Sequence, residues 1–78
     1  MDAKGVSAYP NPAHDKLFVE CGKQIVACEL YTTVGTWMGR VEAESMKAEI
    51  PLNNLSSGMY LVKVITEDQV MIVRFVKE

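Results

Sequence analysis

Histidine and tryptophan occur once each in this chain, cysteine twice and proline three times, within 78 residues. Each scarcity removes a class of chemistry. His14 has a neighbouring acid, Asp15, but no nucleophile can be assigned to complete a relay, so the pair reads as a solvated turn. Ser56 and Ser57 lie in turn sequence without a Gly-x-Ser-x-Gly elbow. Cys21 and Cys28 fit neither a Cys-x-x-Cys redox motif nor a four-ligand zinc site. They read as buried free thiols, with a disulfide as the alternative in an oxidising compartment. Glu42, Glu44 and Glu49 read as solvated charges and not as a carboxylate pair across a cleft. There is no phosphate-cradling glycine loop and no calcium-loop run of oxygen ligands. No enzyme activity, cofactor or metal is therefore expected. The net charge is −2, with both signs scattered, so the chain lacks the basic stripe that neutralises phosphates and nucleic acid is not an expected partner. No apolar run approaches the ~18 residues of a membrane span, so membrane insertion is not expected. The start, Asp2, Ala3 and Lys4 after Met1, carries no apolar signal-peptide core.

What is present is apolar content, 49% of residues, arranged with period two. At this length one domain with one thin core is expected, since such a domain buries only about 60% of the surface of its unfolded chain. Residues 1–6 read as a leader or linker and residues 7–78 as the domain. Val6 to Tyr9 is a short strand candidate, cut by Pro10-Asn11-Pro12, where two prolines fix φ and remove two donors. Leu17, Val19 and Cys21 alternate with Phe18 and Glu20, and residues 22–24 read as a turn. Val26, Cys28 and Leu30 alternate with Ala27, Glu29 and Tyr31, and Gly35 breaks the chain. Further runs cover residues 37–41 and 48–52, with a loop expected over 41–47. Asn53 and Asn54 open turn chemistry anchored by Leu55 and closed by Gly58. Residues 59–66 and 69–77 are the strongest strands, joined by a tight hairpin at Glu67-Asp68 that lacks the usual glycine. About seven short strands at this spacing predict an all-β fold, an antiparallel Ig-like β-sandwich.

Alternation assigns the faces of the final hairpin. Tyr60, Val62 and Val64 point inward, as do Met71, Val73 and Phe75. Met59, Leu61, Lys63, Ile65, Val70, Ile72, Arg74 and Val76 point outward, which leaves an unusually apolar outer face guarded by Lys63 and Arg74. Tyr60 and Phe75 are expected in the core, and Trp37 at an edge.

Four elements, in order, carry a family resemblance. Tyr9-Pro10-Asn11-Pro12, followed by Leu17 and Val19, resembles an opening Tyr-Pro-Asn-Pro and first strand. Glu29-Leu30-Tyr31 with Gly35 resembles a middle motif. Leu52-x-x-Leu55-x-x-Gly58-x-Tyr60-x-Val62-x-Val64 is similar to the most specific motif, and Arg74-Phe75-Val76-Lys77 to a basic, apolar finish. The chain departs from the pattern at Thr32-Thr33, at Thr36, in the glycine-free hairpin, at the terminal Glu78 and in its two cysteines. The resemblance is to the type A C-terminal sorting domain of the type IX (Por) secretion system of Bacteroidetes.

That resemblance implies an Ig-like module at the end of a secreted protein, with an N-terminal cargo domain. Its implied partners are the outer-membrane shuttle and the sortase of the system. Its implied location is the periplasm in transit, then the outer-membrane surface or the extracellular space, after cleavage by the sortase. A folded tag must be read by its surface, and a last strand suits β-augmentation. Gly58, Val70, Ile72, Arg74, Val76, Lys77 and Glu78 are the expected recognition residues; the alternative is that the N-terminal segment covers this face. Exposed edge strands leave a homodimer open. A second function class is an Ig- or fibronectin-like accessory module binding carbohydrate or protein, which an exposed Trp37 beside another aromatic would favour.

Overall fold

The computed structural model describes residues 5–78; most of the segment read as a leader, residues 1–4, lies outside them. Five strands, and no helix among the described residues, make up the chain: β1 Val6–Tyr9, β2 Lys16–Thr32, β3 Trp37–Pro51, β4 Gly58–Thr66 and β5 Val70–Lys77. All pair antiparallel in one sheet, ordered β1-β2-β4-β5, with β3 along the other side of β2. The all-β class expected from the alternation is found, with five strands in place of about seven.

The difference lies in β2 and β3. The turn expected at residues 22–24 does not form, and β2 runs through it for 17 residues. The loop expected over 41–47 is likewise strand, inside the 15 residues of β3. Both strands bend instead of reversing, and register shifts fall between Glu20 and Ile25 and between Ile25 and Ala27. Such bulges add an unpaired residue and sharpen the local bend. The second shift also changes the facing: Ile25 and Cys28 are buried, whereas Val26 is exposed.

The bends turn one sheet into a curl with two opposed halves. The first half of β2 lies between β1 and the end of β3, with Val19 opposite both Ala8 and Ala48. Its second half lies between β4 and the start of β3, with Cys28 opposite both Val64 and Val41. Leu17, Val19 and Ile50 from one half thus share a single core cluster with Leu30, Val62, Val64, Val73 and Phe75 from the other. Burial of these side chains, each worth roughly 1.5–3 kcal/mol, is what holds the curl closed.

The inward set assigned from alternation is correct. Tyr60, Val62, Val64, Val73 and Phe75 are buried and Met71 is partly buried against them. The glycine-free β4–β5 hairpin is held by Thr66, whose N–H donates to the Gln69 carbonyl (2.9 Å) and whose hydroxyl accepts from the Gln69 N–H (3.1 Å). Lys23 fastens the tip through Asp68 (2.7 Å). β3 pairs only with β2, so its outer edge is free. Its exposed charges, Arg40, Glu42, Glu44, Lys47 and Glu49 among them, blunt that edge against further pairing.

Candidate recognition surface

The Pro-Asn-Pro element does more than break the chain. Both prolines follow cis peptide bonds, and the segment they shape lies along the outer edge of β5, 65 residues away in sequence. The Val76 N–H donates to the Asn11 side-chain carbonyl (2.9 Å). The Ala13 N–H donates to the Val76 carbonyl (2.8 Å), and the Glu78 N–H to the Ala13 carbonyl (2.8 Å). Ala13 is fully buried and forms a parallel bridge with Lys77. His14 Nε2 stands 3.3 Å from Glu78 Oε1 at the same end. The first and last motifs of the sequence are therefore one structural unit. The sequence reading missed these partners, because a side-chain-to-backbone bond between the two ends of a chain leaves no periodic signal.

The Leu52 to Tyr60 motif has a similar local logic. Leu52 is fully buried and its N–H donates to the Asp15 carbonyl (2.7 Å). The Leu55 N–H closes a turn on the Leu52 carbonyl (3.0 Å). Gly58 holds φ at +156°, a conformation L side chains rarely adopt. Tyr60 then reaches back so that its hydroxyl donates to the Ser56 carbonyl (2.7 Å), while its ring stacks on Phe75 at 5.9 Å. The glycine and the tyrosine shape the loop that delivers the chain into β4.

Of the expected recognition residues, Val70 and Ile72 are 58% and 56% exposed, and Arg74, Glu78 and Gly58 are also exposed. Val76 and Lys77 are half-buried, beside the residues 11–13 that cover their edge. The structure thus brings Val70, Ile72 and Arg74 together on one open side and sets Val76, Lys77 and Glu78 at a closed end.

Across the outer face of β3, β2 and β4 runs a bonded charge strip. Glu29 accepts from the Tyr31 hydroxyl (2.8 Å) and from Arg40 Nη1 (2.7 Å), with Lys63 Nζ 3.6 Å away. Arg40 Nε also donates to Glu42 (2.8 Å). The Tyr31 and Arg40 donors hold the Glu29 carboxyl below its ordinary range, and the two carboxylates raise Arg40. Trp37, 58% exposed, pairs in register with Tyr31 at the end of this strip. Every described lysine and arginine outside β5 has an acidic partner: Lys16, Lys23, Arg40, Lys47 and Lys63.

Both cysteines are free thiols. Cys28 is buried, and desolvation, with a smaller contribution from Cys21, pushes its thiol up to about 11. Thiols at such a value are inert at neutral pH.

The geometry defines a small all-β module whose distinctive features are a surface strip, a bare strand side and a tied-down C-terminus. Comparison with known proteins specifies the class. Residues 7–78 match the family model of the secretion system C-terminal sorting domain. The chain belongs to that family, the sorting signals of type IX secretion. Membership implies export to the cell surface or beyond. In fold it is similar to part of PorZ, an essential bacterial surface component of the type-IX secretion system of Porphyromonas gingivalis. That match has 20% identity and a TM-score of 0.76, over 95% of this chain and 11% of the PorZ chain. The chain thus corresponds to a small fraction of that protein's length. No protein of curated function matches.

Proposed function

We propose that this domain, at the end of a longer cargo protein, carries that cargo across the outer membrane by presenting β5 to the secretion apparatus. The outer-membrane shuttle reads Gly58, Val70, Ile72, Arg74, Val76, Lys77 and Glu78, and a sortase then removes the domain at the cell surface. The observation that carries this reading is the exposed apolar side of β5, Val70 and Ile72, next to Arg74. A monomeric domain has no internal use for such a side, and edge strands recruit partners through it.

Truncating the last four residues is a poor test, because Phe75 is 1% exposed and central to the core. Losing it would cost about 3–5 kcal/mol, enough to unfold a domain this small. A reporter carrying this domain in a type IX-competent cell is the direct test. Surface delivery, read by protease accessibility on intact cells, supports the reading, and periplasmic retention ends it.

A second reading, an accessory module that binds carbohydrate or protein, is favoured by exposed Trp37 beside Tyr31. Trp37→Ala separates the two. It would abolish polysaccharide binding by an accessory module and leave sorting unchanged. An exposed edge strand would also pair two copies of the chain, which sedimentation at rising concentration would register.

A further inference from the structure

The inward side of β3 is covered along its last half and uncovered along its first. Ala48 and Ile50, in the last half, are 5% and 3% exposed. In the first half, Gly39 and Val41 stand opposite buried Leu30 and Cys28. Directly opposed residues share a face, so Gly39 and Val41 belong to the core side, yet both are only partly buried. A pocket of about 190 Å³ opens over them. Cys28, Leu30 and Val41 line it from one half of the curl, and Ile50 and Leu55 from the other. It lies on the β3 side of β2, whereas Gly5 and β1 run along the opposite edge of β2.

Gly39 leaves the space, and neither the backbone nor the packing asks for a glycine there. The described glycines with positive φ are Gly5, Gly35 and Gly58, so Gly39 holds a conformation open to residues with side chains. A Cβ added to it would meet nothing within 4 Å. Glycine inside a strand lowers stability relative to alanine. Where no strained backbone or tight contact explains it, it marks a place where another group approaches.

The rim is a second, independent observation. Arg40 and Asn54 stand there. Arg40 already donates to Glu29 through Nη1 and to Glu42 through Nε, so the rim has no spare charge for an anion. The exposed Asn54 amide can donate to a backbone carbonyl. The volume falls below the roughly 300–1,000 Å³ of small-molecule sites. It suits one side chain and not a cofactor.

We infer that the Gly39 pocket is an anchor site, which receives one uncharged apolar side chain from a segment of the secretion apparatus. This rests on the sorting reading. A single anchor seated in a preformed pocket carries much of the energy of a protein interface. The neutral rim selects a neutral segment, and Asn54 bonds its backbone.

The test has two arms. Gly39→Val fills the pocket from within. It should raise the melting temperature by about 2–8 °C and still lower surface delivery of the reporter fusion roughly tenfold, the factor that about 1.4 kcal/mol of lost binding produces. Normal export of Gly39→Val overturns the inference and leaves sorting intact. A lowered melting temperature also overturns it, because the fold itself would then need the space. Failure of the unmodified domain to export overturns sorting itself. In the second arm, hexanol is titrated into the chain and read by methyl NMR. It should shift the Val41, Ile50 and Leu55 signals, hexanoate should shift them less, and Gly39→Val should abolish the effect. No shift, or a stronger one with hexanoate, overturns the inference. A dimer that Gly39→Val dissolves, seen by sedimentation, would make a second copy the occupant and overturn it too.

Discussion

Replacing Asn11 by alanine removes a single acceptor, yet it tests the tie between the two ends of the chain. The lost bond is the one from the Val76 N–H at 2.9 Å. A neutral bond of this kind contributes roughly 0.5–1.5 kcal/mol net. Asn11 is exposed, so water can reach the freed donor, and a loss of about 0.5–1 kcal/mol is expected. A domain this size holds about 4–12 kcal/mol in all, and each kcal/mol moves the midpoint by about 4–8 °C. The melting temperature should therefore fall by about 2–8 °C, measured by circular dichroism, and the Val76 amide should lose protection in exchange. Asn11→Asp keeps an acceptor and makes it charged. The N–H should hold that carboxyl below its unfolded value of about 3.9. The restored stability is then present above about pH 4 and is lost as pH falls through the lowered folded value. An Asn11→Ala protein with unchanged melting and a protected Val76 amide would refute the clamp.

Tyr60→Phe deletes the hydroxyl that holds the Ser56 carbonyl and should cost about 1 kcal/mol, seen as a lower urea midpoint with an unchanged slope. Glu29 has its carboxyl held low by Tyr31 and Arg40. Its contribution is therefore present above the unfolded carboxyl range and lost as pH drops through the lowered folded value. Glu29→Gln should flatten the acid limb of a stability–pH profile below the ordinary carboxyl range; an identical limb contradicts the strip. Cys28, raised to about 11, should resist alkylation at pH 8 while half-buried Cys21 reacts. Equal native rates, read by mass spectrometry, would contradict its burial.

The sequence made the faces of the final hairpin legible because period-two burial is a local signal: a residue's neighbours two positions away disclose its side. Tyr60, Val62 and Phe75 needed nothing more. Strand lengths were illegible for the converse reason. Gly22-Lys23-Gln24 has turn composition, but β2 stays extended through it because of the pairings on either side, Cys21 with Val6 and Ile25 with Ser45 and Thr66, which form only once β1, β3 and β4 assemble around it. Val26 is exposed although it alternates in step with buried Cys28 and Leu30, because a bulge between Ile25 and Ala27 moves the alternation without a composition mark. The Asn11–Val76 bond lay beyond any window on the sequence. The motif containing Asn11 was recognisable as a pattern, and only the fold gives the reason for it: Asn11 and Ala13 complete the strand that ends the chain.

The central claim is that this folded domain is itself a sufficient export address. Its most direct measurement places a neutral reporter, delivered to the periplasm by a separate leader, ahead of the domain in a type IX-competent strain and in a sister strain lacking the outer-membrane channel. The account predicts reporter on the surface of the first and confined to the periplasm of the second. Confinement in both strains, or surface delivery in both, would contradict it.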